Sequence, residues 1–290
     1  MDKAYSSRFW ESADGLRLHY RHYPARNGAK PGAAPILCMH GLTRNARDFA
    51  ILAQHLSQTH DVLVPEMRGR GGSDYAKDFA TYNPLTYVAD IEALLAHENI
   101  SRFIAIGTSL GGLMTMIMAA GGAERIAGAV LNDIGPAIDA EGIARIREYV
   151  GQGRSYASWM HAARALEEEH AASFPAFSLD DWLAMAKRGM AVQQNGRILF
   201  DYDMNIAEPF QNDDGAAPPD LWPALEALAG RPVLIVRGAL SDLLSEATLA
   251  EMLRRLPDAV SVTVPDIGHA PLLEEQAVID AIDALLARIS

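Results

Sequence analysis

Cysteine is almost missing from this chain of 290 residues. A single thiol, Cys38, excludes any intrachain disulfide and any cysteine-based metal cluster. It sits inside the apolar run Ile36–Met39, where a cysteine serves as a small buried hydrophobe. Long apolar runs are missing too. None approaches the ~20 residues of a membrane span, and the opening stretch MDKAYSSRFWESADG lacks the apolar core of roughly 7–15 residues that a secretory signal needs. A cytoplasmic protein is therefore expected. Positive charge is in deficit: 25 Lys and Arg stand against 37 Asp and Glu, a net −12. Nucleic acid and anionic membrane surfaces select clustered cations, so neither is an expected partner. The nine histidines show no H-E-x-x-H or comparable ligand spacing, and no metal is expected.

What remains is an ordinary globular composition, 49% hydrophobic and 21% charged. The length suffices for one large core and an inserted subdomain. Residues 8–12 and 16–23 flank Ala13-Asp14-Gly15 as a hairpin, with Leu16, Leu18 and Tyr20 alternating with polar neighbours. A Gly/Pro/Ala-rich link over 24–35 leads to Ile36–Met39, a continuous apolar run of the kind covered on both faces in a parallel sheet. The chain then alternates: helix over 46–58, strand over 61–64, helix over 84–99, strand over 102–106, helix over 110–120 and strand over 127–131. Such alternation predicts βαβ units and a mostly parallel, doubly wound sheet. It stops near Pro136 and resumes after Pro218-Pro219 with a short helix, a strand over 232–237, a helix over 245–256, the strand Val260–Val264 and a final helix. Residues 137–217 carry helix-like stretches and aromatics but no convincing buried strand. They are expected to form a helical cap set into a core made of 1–136 and 218–290.

Gly107-Thr108-Ser109-Leu110-Gly111 lies between an apolar run and a helix-compatible one. A serine on a sharp strand-to-helix turn takes a strained backbone, and glycines two residues to either side let strand and helix crowd together. The turn lifts the hydroxyl out of the sheet and aims a helix N-terminus at it, where negative charge is favoured. A serine needs a base. His269, in Gly268-His269-Ala270-Pro271 past the last strand, lies on a loop at the same sheet edge. The acid that orients the imidazole is expected to be Asp242, just after the strand 232–237. The alternative is Asp133, in Asn132-Asp133-Ile134-Gly135-Pro136, which also follows a strand. The oxyanion donors are expected to be the backbone N–H groups of Leu110, after the nucleophile, and Leu42, in the loop His40-Gly41-Leu42.

With these residues in view, the chain resembles the capped α/β-hydrolase-fold enzymes. His40-Gly41-Leu42, Arg68-Gly69-Arg70-Gly71-Gly72-Ser73-Asp74, Gly107-Thr108-Ser109-Leu110-Gly111-Gly112 and Gly268-His269 look like that family's landmarks. The family often has Asp where Glu66 stands, a position expected to be structural, as are Arg68 and its following glycines. The resemblance implies an eight-stranded sheet with a cap and a cofactor-free, two-step acyl transfer on a small-molecule substrate. It excludes epoxide hydrolase and haloalkane dehalogenase chemistry, which use aspartate at the Ser109 position.

Specificity is expected under the cap, with His40, Met114, Trp159, Met160, Trp182 and Met185 as wall residues of an apolar pocket. A carboxylesterase or lactonase acting on a small to medium, fairly apolar substrate is the leading expectation. The alternatives are a carbon–carbon bond hydrolase of a vinylogous diketone, for which no substrate-carboxylate arginine stands out, and a ligand receptor that keeps the fold. The protein is expected to be a monomer or a small homo-oligomer.

Overall fold

A computed structural model describes residues 4–28, 32–211 and 219–289. In chain order the core begins with β1 (Ser6–Glu11), β2 (Arg17–Tyr23), β3 (Ile36–Met39), α1 (Ala50–Leu56), β4 (Val62–Pro65), α2 (Pro84–His97), β5 (Phe103–Thr108), α3 (Leu110–Gly122) and β6 (Ile126–Asn132). Then come α4 (Ala140–Tyr149), β7 (Ser155–Tyr156), α5 (Trp159–His170), α6 (Leu179–Gly189), β8 (Met190–Val192), β9 (Ile198–Phe200) and α7 (Glu208–Gln211). The chain returns through α8 (Trp222–Glu226), β10 (Val233–Gly238), α9 (Glu246–Arg255), β11 (Val260–Val264) and α10 (Gln276–Leu286).

Eight strands make the main sheet in the order β1-β2-β4-β3-β5-β6-β10-β11. Pairing is antiparallel at β1–β2 and β2–β4 and parallel from β4 onward. The expected α/β-hydrolase fold, a mostly parallel doubly wound sheet of eight strands, is therefore what the chain adopts. The even spacing of β3 shows why its apolar run is unbroken: Leu37 and Met39 face one hydrophobic cluster with α2 and α3, while Ile36 and Cys38 face the other with α1 and α10. Burial pushes the Cys38 thiol well above its ordinary range, as befits a cysteine used for packing.

From β3 the chain moves outward to β4, then crosses back to β5 on the other side, so the winding reverses between β3 and β5. The loops after these two strands diverge and leave a crevice at the carboxyl edge of the sheet, where open α/β sheets bind ligands.

The stretch between β6 and β10 differs in one respect from the all-helical expectation. Besides its helices it holds a three-stranded antiparallel sheet, in the order β7-β9-β8. Strands of two or three residues carry too few alternations to register as a period. The expected end of the cap at residue 217, and part of the Gly/Pro/Ala-rich link after β2, lie outside the described residues.

Candidate active site

Sheet register brings distant segments to one spot. Met39 pairs with Gly107, Thr108 with Asn132, and Asn132 with Val236, so the ends of β3, β5, β6 and β10 stand level. The turn after β5 holds Ser109 at φ 51° and ψ −113°, a backbone position costly for any residue with a side chain. It is clamped by the Ser109 N–H donating to the Asn132 carbonyl at 2.9 Å. The flanking glycines are dictated by space. A Cβ on Gly111 would lie 2.1 Å from the Met39 carbonyl oxygen, and one on Gly107 would lie 2.3 Å from the Gly111 carbonyl carbon.

His269 leans over this turn from the loop after β11. Its Nε2 lies 2.9 Å from Ser109 Oγ and its Nδ1 lies 2.8 Å from Oδ2 of Asp133. Because a carboxylate only accepts, Nδ1 carries the proton and Nε2 is left to accept from the serine hydroxyl. Asp133 is fully buried, with φ 55°, and is held by two further donors: the Gly238 N–H at 2.8 Å to Oδ1 and the Ser241 hydroxyl at 2.6 Å to Oδ2. Asn132 fixes the histidine loop from below, its amide donating to the Pro271 carbonyl at 2.9 Å and to Thr108 Oγ1 at 3.0 Å. An alcohol, an imidazole and a carboxylate bonded in this sequence can move a proton off the alcohol and store the resulting positive charge.

The expectation that Asp242 would orient the imidazole is corrected here. Its carboxylate is engaged bidentately by Arg145 of α4, through Nε and through Nη2 at 2.9 Å, and makes no hydrogen bond to His269. Burial opposes its ionisation, but the Arg145 guanidinium outweighs burial and holds the carboxyl below the usual range. Asp133, at the end of β6, takes the place: the Gly238 N–H and the Ser241 hydroxyl hold its carboxylate against His269, while Arg145 holds that of Asp242.

The loop after β3 is pinned from several sides. His40 is wholly buried; its Nδ1–H donates to the Gly41 carbonyl at 2.8 Å, and its Nε2 accepts the Met67 N–H at 3.1 Å. Burial pushes its pKa down to about 4, with the positive charge of Arg70 adding to the effect. Arg70, also fully buried, donates from Nε to the Leu42 carbonyl at 2.9 Å. Glu66 accepts from the Ala46 and Gly72 N–H groups and from His19. Burial opposes its ionisation, yet those three partners hold it down to about 2. Arg68 is buried between Asp90 and Asp14, so this segment serves loop architecture. Among the described residues neither the Leu42 nor the Leu110 N–H donates to a protein acceptor. Leu42 borders the cavity beside Ser109.

That cavity, of about 150 Å³, is floored by Ser109, His269 and the Gly41-Leu42 turn and roofed by residues of the β6–β10 insertion. Of the six expected wall residues, Met185 alone borders it. Met114 is packed in the core, Trp159 and Trp182 belong to the other hydrophobic cluster, and Met160 is exposed. Trp182 is stacked edge-on against Phe174 and Phe177, at 6.0 and 5.1 Å between centroids. The aromatics expected as walls thus build the insertion's own core. His40 stands behind the loop and does not reach the cavity. In their place the lining includes Arg44, Arg145, Tyr149, His170 and Tyr202. Arg145 and Tyr149 are four apart on α4 and so share a helix face, a spacing readable in the sequence. Among the described residues no cluster of side chains suited to a metal ion occurs, and no helix is long and apolar enough to cross a membrane.

The chain is 35% identical over 249 residues to a 3-hydroxybutyrate-oligomer hydrolase of Cupriavidus necator, covering 83% of this chain and 84% of that one. It is 28% identical over 264 residues to a 2-(acetamidomethylene)succinate hydrolase of Mesorhizobium japonicum, covering 89% and 91%. A crystal structure of an alpha/beta hydrolase from Novosphingobium aromaticivorans superposes with a TM-score of 0.94 at 54% identity, over the whole of both chains. A model of the alpha/beta hydrolase fold family matches residues 34–276. The chain therefore belongs to the α/β-hydrolase fold family and is a hydrolase of that fold.

Proposed function

We propose that the protein is a serine esterase that cleaves short hydroxyacid-type esters by acyl transfer, with Ser109 as nucleophile, His269 as base and Asp133 as the acid that orients it. The observation that carries this reading is the unbroken series of hydrogen bonds Ser109–His269–Asp133 on the floor of the cavity. His269 Nε2 takes the Ser109 proton as Oγ attacks the ester carbonyl carbon, and the carbonyl π electrons move to oxygen. The Leu42 and Leu110 N–H groups receive that oxyanion; each such donor is worth roughly 2.7–4 kcal/mol of barrier. The tetrahedral adduct collapses, and the imidazolium gives its proton to the departing alkoxide. Water, deprotonated by the same nitrogen, then releases the acid and restores Ser109. The insertion between β6 and β10 acts as a cap that excludes bulk water from these steps.

A cavity of about 150 Å³ suits a small substrate, since drug-sized ligands fill roughly 300–1,000 Å³. The 3-hydroxybutyrate-oligomer hydrolase likeness supports an ester of that size class. Hydrolysis of p-nitrophenyl acetate and of the 3-hydroxybutyrate dimer tests the proposal: both should be cleaved, and Ser109→Ala should lower turnover by several orders of magnitude, up to ~10⁶. Wild-type rates in that variant would remove Ser109 as nucleophile. Carbon–carbon bond hydrolysis is a second reading, favoured by the arginines in the cavity wall. A vinylogous 1,5-diketone turned over faster than any ester would establish it instead.

A further inference from the structure

In a chain of net charge −12, three lining side chains of one small cavity are arginines: Arg44, Arg145 and Arg154. Two of them are built alike. Arg44 lies two residues beyond Leu42, and its N–H donates to the Gly41 carbonyl at 3.1 Å, so its backbone belongs to the same turn as the proposed oxyanion donor. It turns one edge to Asp48, Nε at 2.7 Å and Nη2 at 2.6 Å. Arg145, from α4 across the cavity, turns the same Nε/Nη2 edge to Asp242. Each guanidinium is therefore held rigid by a carboxylate on one edge. Among the described residues neither Nη1 meets a carboxylate or a carbonyl, while Arg145 also hydrogen-bonds the Tyr149 side chain and Arg44 Nη1 lies beside Gly189.

Tyr149 lines the same cavity, and its hydroxyl feels both guanidinium charges. Burial raises its pKa, so it stays a neutral hydrogen-bond donor. His170 packs edge-on against the Tyr149 ring, centroids 5.8 Å apart at 89°. Burial first, then the charges of Arg145 and Arg44, push His170 down to about 4, so it too is uncharged at neutral pH. Both guanidiniums thus act on these neighbours although each is paired with a carboxylate. The third arginine, Arg154, is spoken for by Glu169.

We propose that Arg44 and Arg145, with the Tyr149 hydroxyl, form a carboxylate-binding subsite, so that the ester cleaved at Ser109 is one that carries a free carboxylate at its far end. This rests on the hydrolytic role given to Ser109 above. A planar guanidinium matches a carboxylate in shape as well as charge. Three arginines stand against Asp48, Glu169 and Asp242, so the paired charges cancel and the subsite selects by the planar hydrogen-bonding geometry of a carboxylate rather than by net charge. Carboxylates at the backs of the guanidiniums keep them in place before substrate arrives, which lowers the ordering cost of binding.

The test compares the 3-hydroxybutyrate dimer bearing its free carboxylate with the same dimer capped as the primary amide. The readout is the ratio of their kcat/KM values, which cancels general damage to the enzyme. Wild type should favour the acid, and Arg44→Met and Arg145→Met should each shrink the ratio about 10- to 100-fold. Arg145→Lys, which keeps a charge but loses the fork, should fall between, and thermal unfolding identifies any variant that fails to fold. A wild-type ratio near one, or ratios unchanged in both variants, would overturn the subsite while cleavage of p-nitrophenyl acetate left the esterase reading standing. Calorimetric binding of acid and amide to Ser109→Ala reads the subsite without turnover. Preferential binding of the acid that is lost on adding Arg145→Met supports it, and equal binding of acid and amide overturns it.

Discussion

The assignment of Asp133 can be separated from that of Asp242 by one pair of substitutions. In Asp133→Asn the two oxygens are no longer equivalent, and the surroundings decide which becomes the amide nitrogen. Oδ1 accepts the Gly238 N–H at 2.8 Å, a fixed main-chain donor that an NH₂ group would oppose. Oδ2 accepts from the Ser241 hydroxyl at 2.6 Å, which can rotate to accept instead, and from His269 Nδ1 at 2.8 Å. The amide should therefore keep its oxygen toward Gly238 and present its NH₂ to His269. That forces the proton onto Nε2, which then faces Ser109 as a donor and cannot take its proton. The expected loss is about 10⁴ in kcat, or about 5 kcal/mol of barrier. Asp242→Asn instead weakens a partly exposed pair with Arg145, a change worth about 1 kcal/mol or less, and should cost under about tenfold. Initial rates on p-nitrophenyl acetate for both variants, checked for folding by circular dichroism, give the comparison. A crippled Asp242→Asn beside an active Asp133→Asn would refute the reasoning.

Two other outcomes follow from the same geometry. Gly111→Ala should destabilise the protein by more than about 2 kcal/mol, because its methyl would meet the Met39 carbonyl at 2.1 Å across the strand–helix contact; an unchanged urea midpoint would contradict this. Stability should also fall on acidification. Burial holds folded His40 and His170 near 4 against an ordinary 6.5, so between those values the unfolded chain binds more protons and stability drops as pH is lowered through the window. Fully buried His40 alone accounts for about 3 kcal/mol of that loss. Glu66, held near 2 against 4.5, contributes stability that is present above 4.5 and lost below it as pH falls toward 2. Denaturation midpoints that stay level from pH 7 to 4.5 would speak against the two histidines.

The Ser109 turn and the His269 loop were legible because each is a local pattern at the end of a strand, and strand ends in a parallel sheet share an edge. Choosing between Asp133 and Asp242 needed the tertiary contacts of each carboxylate, since both follow strands at that edge. What decides it, Gly238 and Ser241 donating to Asp133 while Arg145 engages Asp242, is long-range. The wall of the cavity was not legible for a different reason. Large aromatics such as Trp182 and Trp159 gain most by packing on one another, and in so small an insertion they supply its core. The residues left to face the cavity are amphipathic: Arg44 in the turn after Leu42, and Arg145 and Tyr149 one helical turn apart. Strands β7, β8 and β9 were too short for any periodic signal.

Labelling with a fluorophosphonate, followed by peptide mapping, tests the central claim most directly. One adduct per chain should form on the peptide that contains Ser109, with loss of esterase activity in step, and no adduct should form in Ser109→Ala. A hydrolase that stays active while Ser109 remains unlabelled would contradict the account.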